Sequence, residues 1–514
     1  MGAGLLLVMA GSCRKESDHL YSYDHQDNLL FAAADTSFAA KFDLMWNAMN
    51  QNYAIWDYED AMGVDWDAIY EECYPKFQEL DSRGKDETVT DDEVKDLLGQ
   101  CLGPLHDGHF NVRMKNHKTG TQVYYNPAAI RNQSRDDYAI TGAFSPNLPV
   151  GEAETDAAGN PIVKSVTTTP LDALLSLCYN PGIGVSWAKE MVNELQAMQS
   201  LTEQQSFILQ GLNGFISDVY AIFDMSLSEA VGYINNLWVK YSYLDIPGFE
   251  YIDPGYTSAG LRTSFSLLKG NIAYYYTSNF QLYYYLEESL SDEKFDMSYP
   301  KNQDLVQRVR EVWQAWFDTV QQLHSSGNLG GVIIDLRGNI GGNVAEFMYV
   351  VGSLLPSGTH VIGYHRQKRG TGRYEYSQLI PLNLDAISAP HEAITEPVVV
   401  LVDGRTASTG EISALGVRSM PNGTVIGKRT WGGLCILLPN EFYSVNYSGK
   451  FGVQGITSVS GYVPTYAVFS LDKELLEGQG ISPDIEVDLD LELYQSTGKD
   501  TQLARAMQFI RTGK

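Results

Sequence analysis

One short stretch near the C-terminal end of the chain constrains the fold more than any other. Val398–Val402 is an apolar, largely β-branched run between a proline and an Asp-Gly pair, which predicts a buried strand that ends in a tight turn. From Ile412 onward the apolar residues recur at helical spacing. Ser408 is therefore predicted to lie where a strand passes into a helix. The start of a helix offers free backbone N–H groups and the positive end of the helix dipole, which a nucleophilic serine needs beside it.

Ser408 fits two roles. It can be an ordinary N-cap that satisfies one N–H of the first helical turn, and this stretch taken alone favours that interpretation. It can also be a nucleophile that a neighbouring base activates. The G-x-S-x-G elbow is absent, because Thr406 occupies the place of its first glycine.

Composition and charge exclude several kinds of function. The 514 residues are enough for a large core, and they carry a formal net charge of −27, which repels nucleic acid and anionic membrane surfaces. We therefore expect no nucleic-acid partner. The chain contains no H-E-x-x-H zinc motif, no P-loop and no dinucleotide fingerprint, so we expect neither a metal nor a cofactor. The five cysteines include no C-x-x-C pair and indicate neither a zinc knuckle nor a dense disulfide framework.

Residues 1–34 are predicted to be a signal segment and linker outside the fold. The apolar run Gly4–Gly11 precedes Ser12-Cys13, which resembles the end of a bacterial lipoprotein signal, with Cys13 as the lipidated residue. A plain secretory signal is the alternative. Either way we expect an exported protein of the cell envelope, periplasmic or an outer-membrane lipoprotein. Its contact with the membrane would be this N-terminal anchor alone, because no later apolar run is long enough to span a bilayer.

Three regions follow the signal segment. Residues 35–125 are predicted to be helical and to end in a histidine motif. Residues 126–264 are predicted to be a variable, largely helical insertion, with a loop or linker at 144–170. Residues 265–514 alternate strands and helices, which predicts an α/β layer domain. Its first predicted elements are a strand at Ile272–Tyr276, a helix at Leu305–Leu323, a strand at Gly331–Leu336 and a helix at Asn343–Leu355.

The histidine motif joins a helical pattern to a strand pattern. His106 and His109 lie on either side of Asp107-Gly108, and Phe110 and Val112 alternate as in a strand. A histidine at the start of a strand, just after a tight turn, can be held rigidly and still be reached. A lone histidine is more often structural or merely exposed, so both roles stay open here.

Four motifs in the second half of the chain occur in a specific order. They are Asp335-Leu336-Arg337-Gly338-Asn339-Ile340-Gly341-Gly342, then Thr406–Glu411, then Gly427–Gly433, then Glu477–Asp484. Together they resemble the S41 family of serine peptidases, which includes the C-terminal processing proteases and the tricorn protease core. The resemblance covers about 265–490 and the histidine motif. It implies a crotonase/ClpP-like β-β-α superhelix, and hydrolysis of peptide or protein substrates through an acyl-serine intermediate.

The resemblance also assigns roles to individual residues. Ser408 matches the nucleophile, and the backbone N–H groups of Thr409 and of Gly341 or Gly342 match the oxyanion hole. In the C-terminal processing branch a lysine activates the serine, but Gly433 stands at that lysine position here.

The tricorn-type branch uses a histidine from far upstream and a late glutamate instead of the lysine. This branch implies His109 as the general base and Glu477 as the residue that orients it, which completes a Ser-His-Glu triad. His106 is the second candidate histidine.

Two alternatives to this enzyme remain open from the sequence. The first is a catalytically inactive S41-like binding protein of the cell envelope. Two features favour it: the missing lysine, and the tyrosine-rich clusters at 274–276 and 283–285. The second is a Ser–Lys enzyme that uses Lys428, a residue which is otherwise expected to be a solvated charge at a strand end. The sequence predicts no oligomeric state.

Overall fold

The computed structural model describes most of the chain. The described residues are 36–84, 87–135, 150–167, 192–193, 195–198, 200–221, 261–294, 297, 300–369, 372–434, 450–451 and 458–514. The predicted signal segment with Cys13 lies outside them. No helix within the described residues is both long and apolar enough to cross a bilayer.

The helices of the described residues are α-helices with two short 3-10 turns among them. In chain order the α-helices are α1 Phe38–Asn52, α2 Trp56–Ala61, α3 Trp66–Ser82, α4 Asp91–Leu102, α5 Pro127–Gln133, α6 Glu203–Ala221, α7 Tyr283–Leu286, α8 Glu288–Lys294, α9 Pro300–Ser325, α10 Phe347–Val350, α11 Thr409–Ser419, α12 Leu491–Thr497 and α13 Thr501–Thr512. The 3-10 turns are Val150–Glu152 and Val344–Glu346.

The strands of the described residues form three sheets. They are β1 Asn111–Lys115, β2 Gln122–Tyr125, β3 Val163–Thr167, β4 Arg262–Leu268, β5 Ile272–Thr277, β6 Gly331–Asp335, β7 Thr359–Gln367, β8 Ile380–Asp385, β9 Val398–Val402, β10 Gly423–Gly427, β11 Lys450–Phe451, β12 Val459–Tyr462, β13 Tyr466–Phe469 and β14 Ile485–Glu486. The strand orders are β11-β12-β1-β2, β14-β10-β9-β6-β5-β4-β3 and β13-β7-β8.

The chain divides into two compact units. The first consists of Met1–Ile130, His365–Ile380 and Cys435–Val468, and the second consists of Arg131–Tyr364, Pro381–Leu434 and Phe469–Lys514. The domain ranges predicted from the sequence remain a prediction.

The first unit packs helices α1, α3 and α4 with the four-stranded antiparallel sheet. The predicted helical N-terminal region is confirmed. Capping residues set its helix starts: the Asp65 side chain accepts the Ala68 N–H, and Thr90 and Glu93 form a reciprocal capping box. Cys73 in α3 and Cys101 in α4 form a disulfide with a Cα–Cα distance of 6.2 Å. The sequence did not predict this bond, because scattered cysteines do not reveal their pairing.

The second unit is built on the seven-stranded sheet. Strands β5, β6, β9, β10 and β14 run parallel, while β3 and β4 add antiparallel strands at one side. Helix α13 packs on one face against Tyr274, Val399 and Leu401, and Trp316 of α9 stacks on Tyr275 at 4.7 Å between ring centroids. Because helices cover both faces, β6 and β9 are buried at every position.

The predicted fold class, α/β with an N-terminal helical region, is confirmed. Strands β4 and β5 are followed by the short helices α7 and α8 and then by the long helix α9, which gives the β-β-α order that the resemblance implies. The predicted strands at Ile272–Tyr276, Gly331–Leu336 and Val398–Val402 are present to within one residue, and so is the strand-to-helix passage at Ser408. The described part of the insertion contains α6, which is helical as predicted.

Two local predictions were wrong. Residues 163–167, predicted to lie in a loop, form strand β3, which pairs with β4 at the edge of the sheet. The helix predicted at Asn343–Leu355 shrinks to a 3-10 turn and the single turn α10, followed by turns. The short helix ends where a Cβ on Gly352 would lie 2.7 Å from both Met348 Cα and the Asp385 carbonyl oxygen, so the chain bends closely against its neighbours there.

A buried ionic network anchors the C-terminal helix to the sheet. Arg337 is fully buried and binds Asp335 at 2.5 Å and Asp500, the N-cap residue of α13, at 2.7 Å. Arg337 also donates to the Gln502 side chain, and the Tyr274 hydroxyl donates to Asp335. The two carboxylates hold the guanidinium charged and raise the pKa of Arg337. The network thus fixes the turn that follows β6.

We predict that Arg337→Met lowers the free energy of unfolding by about 3–5 kcal/mol, because it leaves Asp335 buried without its counter-charge. Denaturant unfolding followed by circular dichroism measures this loss. Arg308→Met is the matched control: Arg308 pairs with Asp304 on the surface of α9, so the loss should stay under about 0.5 kcal/mol. Equal losses in the two variants would contradict the structural role of Arg337.

Candidate active site

The candidate site lies where the parallel strands of the seven-stranded sheet end at their carboxyl termini. This side of the sheet is called the site edge. Because β6, β9 and β10 are parallel, their carboxyl ends lie together at this edge. Three turns leave from there: 336–342 after β6, 403–408 after β9 and 428–434 after β10. Backbone hydrogen bonds hold the first residues of two of these turns against the end of β9: the Leu336 N–H donates to the Leu401 carbonyl (2.9 Å), and the Lys428 N–H donates to the Val402 carbonyl (3.0 Å).

The buried Asp403 side chain organises the turn after β9. One carboxylate oxygen accepts the N–H groups of Arg405 and Thr406 within this turn, and it also accepts the Gly338 N–H from the turn after β6 at 3.0 Å. Burial raises the pKa of Asp403 despite these donors. Thr406 closes the arrangement by donating its hydroxyl to the Leu336 carbonyl at 2.8 Å.

Asn339 organises the turn after β6 by hydrogen bonds. Its amide donates to the Thr277 carbonyl at 2.8 Å, its side-chain oxygen accepts the Gly341 N–H at 2.8 Å, and its own carbonyl accepts the Ala407 N–H at 2.9 Å. The glycine-rich turn and the residue before Ser408 are therefore held together by one buried amide residue.

Ser408 has an unusual backbone conformation. It is the N-cap residue of α11, with φ 53° and ψ −122°, and it is one of three residues other than glycine with positive φ among the described residues. Such a conformation costs about 1–3 kcal/mol and persists only where the surroundings enforce it. Here the Ser408 N–H is held by the Gly433 carbonyl at 3.0 Å and by the Glu411 carboxylate at 3.2 Å.

Gly341 packs directly on Ser408. A Cβ at Gly341 would lie 2.5 Å from the Ser408 Cβ and 3.0 Å from the Thr409 nitrogen, so only glycine fits, and its φ of +94° also favours glycine. The Thr409 hydroxyl donates to the Gly342 carbonyl at 2.6 Å. The structure therefore brings four predicted site residues together: Gly341, Gly342, Ser408 and Thr409.

Two backbone N–H groups beside Ser408 are available to a ligand. Those of Thr409 and Gly342 make no hydrogen bond to any of the described residues. The Gly341 N–H, in contrast, is occupied by Asn339. Of the two predicted glycines, Gly342 is the one with a donor available.

Glu411, three residues after Ser408, is a buried centre of hydrogen bonding. Its carboxylate accepts the Gly432 N–H at 2.8 Å, the Gly433 N–H at 2.7 Å and the Thr430 hydroxyl, in addition to the Ser408 N–H. Burial raises its pKa to about 7 against the effect of these donors. No role was expected for Glu411 from the sequence, although Ser-x-x-Glu is the spacing of a capping box and could have indicated one.

Glu477 lies beside the same turn. It is fully buried, and its carboxylate accepts the Leu434 N–H at 2.7 Å, while the Gly478 N–H donates to the Gly432 carbonyl at 2.8 Å. The structure thus places Glu477 next to the turn that holds the Ser408 N–H.

His109 lies in the first unit, just before β1. The Asp107 carboxylate accepts the N–H groups of His109 (2.8 Å) and Phe110 (2.7 Å), which fixes the turn as predicted. The ring is partly accessible, but its Nδ1 is buried and has no hydrogen-bond partner among the described residues. Burial lowers the pKa of His109 to about 4, so the ring is neutral at pH 7.

The other two candidates for the general base, His106 and Lys428, are both bound to carboxylates. His106 Nδ1 lies 2.7 Å from the buried Glu59 carboxylate, which also accepts the His106 N–H and the Tyr53 hydroxyl. Lys428 forms ion pairs with Glu486 at 2.6 Å and Asp488 at 2.8 Å, and these raise its pKa.

The tyrosine cluster at 274–276 lies on a fully buried strand. Packing therefore accounts for these three side chains without a ligand.

Part of the chain is similar to known proteins. Residues 304–487, which carry the turns after β6, β9 and β10, match the family model for Peptidase family S41. This match covers 184 of the 514 residues, so the chain is similar to the family over just over a third of its length.

Named relatives match over part of their length. The tricorn protease of Thermoplasma volcanium is 27% identical over 194 residues, 37% of this chain and 15% of that protein. The carboxy-terminal-processing protease of Bartonella bacilliformis is 24% identical over 193 residues, 38% of this chain and 39% of that protein. The alignments therefore span well under half of each relative. A solved structure described as a peptidase of Parabacteroides merdae is 18% identical and covers 92% of this chain and 96% of that chain, with a TM-score of 0.46.

We predict that Gly341→Ala destabilises the fold more than Gly338→Ala does. Both glycines have positive φ in the same turn, but a Cβ on Gly338 would meet nothing within 4 Å. Gly338→Ala should therefore cost only the backbone strain, about 1–2 kcal/mol, while Gly341→Ala adds overpacking of about 1–3 kcal/mol. Denaturant unfolding of the two variants measures the difference, and equal losses would show that Gly341 is not packed on Ser408.

Proposed function

We propose that the protein is a serine peptidase that hydrolyses peptide bonds in peptide or protein substrates through an acyl-serine intermediate. The match of residues 304–487 to the model for Peptidase family S41 supports this proposal. The observation that carries it is the combination at Ser408: a strained positive-φ serine at a helix start, beside two backbone N–H groups without partners among the described residues. Such donors, already in place, stabilise the oxyanion of a tetrahedral intermediate.

In this proposal Ser408 attacks the carbonyl carbon of the scissile bond. His109 takes the hydroxyl proton as general base and returns it to the leaving amine. The burial that lowers the pKa of His109 to about 4 keeps the ring neutral and able to accept a proton at neutral pH. In the proposed triad Glu477 orients the imidazole and offsets its transient charge. The Thr409 and Gly342 N–H groups bind the oxyanion, and the close packing of Gly341 on Ser408 aligns them.

A Ser–Lys mechanism is less well supported. A lysine base must be neutral to accept a proton, whereas two carboxylates hold Lys428 in its charged form. The tricorn-type branch of the family, with a histidine base, is therefore the one that we propose for this protein.

We predict that a fluorophosphonate probe labels the wild-type protein and Ser419→Ala but not Ser408→Ala. Ser419 lies at the other end of the same helix, where its hydroxyl donates to the Gly416 carbonyl. His109→Ala should label at least about 100-fold more slowly, because general-base catalysis contributes that much. Lys428→Ala should label at the wild-type rate.

Gel fluorescence over time measures these rates on folded samples. Loss of labelling in Lys428→Ala but not in His109→Ala would show that Lys428, and not His109, is the general base. A folded wild-type protein that does not label would favour the S41-like binding protein.

We also propose that the protein is exported to the cell envelope and lipidated at Cys13. The disulfide between Cys73 and Cys101 supports export, because such bonds persist in oxidising compartments.

We predict that the chain, expressed in bacteria with its first 34 residues, incorporates an alkyne fatty acid that Cys13→Ser abolishes. Cys73→Ser is the matched control and should keep the lipid label while losing the disulfide. Labelling that survives in Cys13→Ser would contradict lipidation at this residue.

A further inference from the structure

The Glu411 carboxylate is a structural group that the proposed mechanism does not use. It is fully buried, it comes three residues after the candidate nucleophile, and it binds donors from two different segments of the chain. Ser408 and Glu411 form a capping box, which needs two bonds: the Ser408 N–H donates to the Glu411 carboxylate, and the Glu411 N–H donates to the Ser408 hydroxyl oxygen. The bonds to Thr430, Gly432 and Gly433 are additional and need another explanation.

These bonds connect the turn after β10 to the start of α11. Gly432 and Gly433 donate to Glu411, and the Gly433 carbonyl in turn accepts the Ser408 N–H at 3.0 Å. The carboxylate therefore holds the Ser408 N–H both directly and through the turn. The Ser408 backbone has φ 53°, a conformation that needs such external support.

We propose that Glu411 is a positioning residue of the Ser408 site. It holds residues 430–433 against the helix start, and so maintains the backbone conformation that presents the Ser408 hydroxyl and leaves the Thr409 N–H available. This inference rests on the proposed peptidase function. Glu411 does not contact the substrate in this scheme and acts only through the backbone of Ser408.

The role depends on the protonation state of the carboxylate. When ionised, Glu411 has only acceptor sites, which suits the four donors around it. Protonation replaces one acceptor site by a donor that faces other donors. The titratable side chains on the segments around it are Asp403, Arg405, Lys428, Arg429 and Glu477. Asp403 and Glu477 bind backbone N–H groups, Lys428 pairs with Glu486 and Asp488, and Arg429 donates to the Gln479 carbonyl. Burial is the largest effect on the pKa of Glu411 and raises it to about 7.

The test compares wild-type protein with Glu411→Gln, labelled by a fluorophosphonate probe between pH 5.5 and 8.5. The Glu411→Gln variant should fold, because the glutamine side chain is nearly isosteric with the neutral glutamic acid that burial favours. Its amide group can accept at only one oxygen, so some of the N–H donors lose their partner. We expect labelling at pH 8 to slow by at least about tenfold, by comparison with the loss of one oxyanion donor.

The pH profile separates positioning from a general loss of stability. The wild-type rate should fall as the pH drops through about 7, when Glu411 takes up a proton. Glu411→Gln should show no such fall between pH 5.5 and 8.5, because the pKa of His109, about 4, lies below this range. Glu411→Asp, which keeps the charge, should retain the fall near neutral pH and is the second variant if Glu411→Gln does not fold. Glu396→Gln is the matched control, because Glu396 lies before the amino end of β9, away from the site edge, and binds His324.

Hydrogen exchange gives a readout that does not depend on activity. Backbone N–H groups at 408–412 and 430–434 should exchange faster in Glu411→Gln than in wild type, with α9 unchanged. Unchanged exchange at both segments, or wild-type labelling rates and pH profile in Glu411→Gln, would overturn the inference while leaving Ser408 as the nucleophile. A wild-type protein that never labels would overturn the proposed function itself, and with it any role of Glu411 in catalysis.

Discussion

The parallel register of β6, β9 and β10 is the constraint on which the candidate site depends. Parallel strands in register end at the same edge, so the three turns that leave them must share one small volume. The buried backbone N–H groups of these turns need acceptors within the protein. The side chains of Asn339, Asp403 and Glu411 each accept N–H groups from their own turn or helix start. The Asp403 and Glu411 side chains also bind a neighbouring turn, as does the backbone carbonyl of Asn339. This shared hydrogen bonding fixes the conformation of the turns at the site.

Burying these acids carries an energetic cost that shows in their pKa values. Desolvation raises the pKa of both Asp403 and Glu411, although each accepts several backbone N–H groups that act in the opposite direction. Behind the same edge, Arg337 neutralises Asp335 and Asp500 in a fully buried network. Buried polar groups of this kind add little stability compared with an apolar core, but removing one partner leaves the others unsatisfied. The site edge is therefore specified by polar contacts, and the body of the sheet by apolar packing.

The sequence predicted the parts of this arrangement that depend on local pattern. The apolar runs of β6 and β9 and the helical spacing of α9 mark elements whose burial is continuous, and the passage through Ser408 follows from one strand and one helix. Strand β3 was missed because an edge strand of five residues carries little apolar pattern, and α10 was overestimated because the contacts that bend the chain at Gly352 come from Asp385. Long-range pairs such as Cys73 with Cys101, or Arg337 with Asp500, leave no local pattern at all. At the site, the resemblance to the S41 family pointed to Ser408, Gly341 and Thr409, but it could not show that Asn339 occupies the Gly341 N–H.

The conformation of Ser408 also distinguishes it from the other helix caps of the chain. Ser37, Asp65, Asp490 and Asp500 cap helices with φ between −135° and −74°, and each side chain accepts a backbone N–H of the first turn. These four show that capping in this protein is achieved in the ordinary extended conformation. Ser408 instead has φ 53° and ψ −122°, packs on a glycine that no larger residue could replace, and is held by two acceptors on its N–H. A cap alone gains nothing from this strain. A serine whose hydroxyl must be presented beside free N–H groups does gain from it, because the strained turn fixes the nucleophile before the substrate arrives.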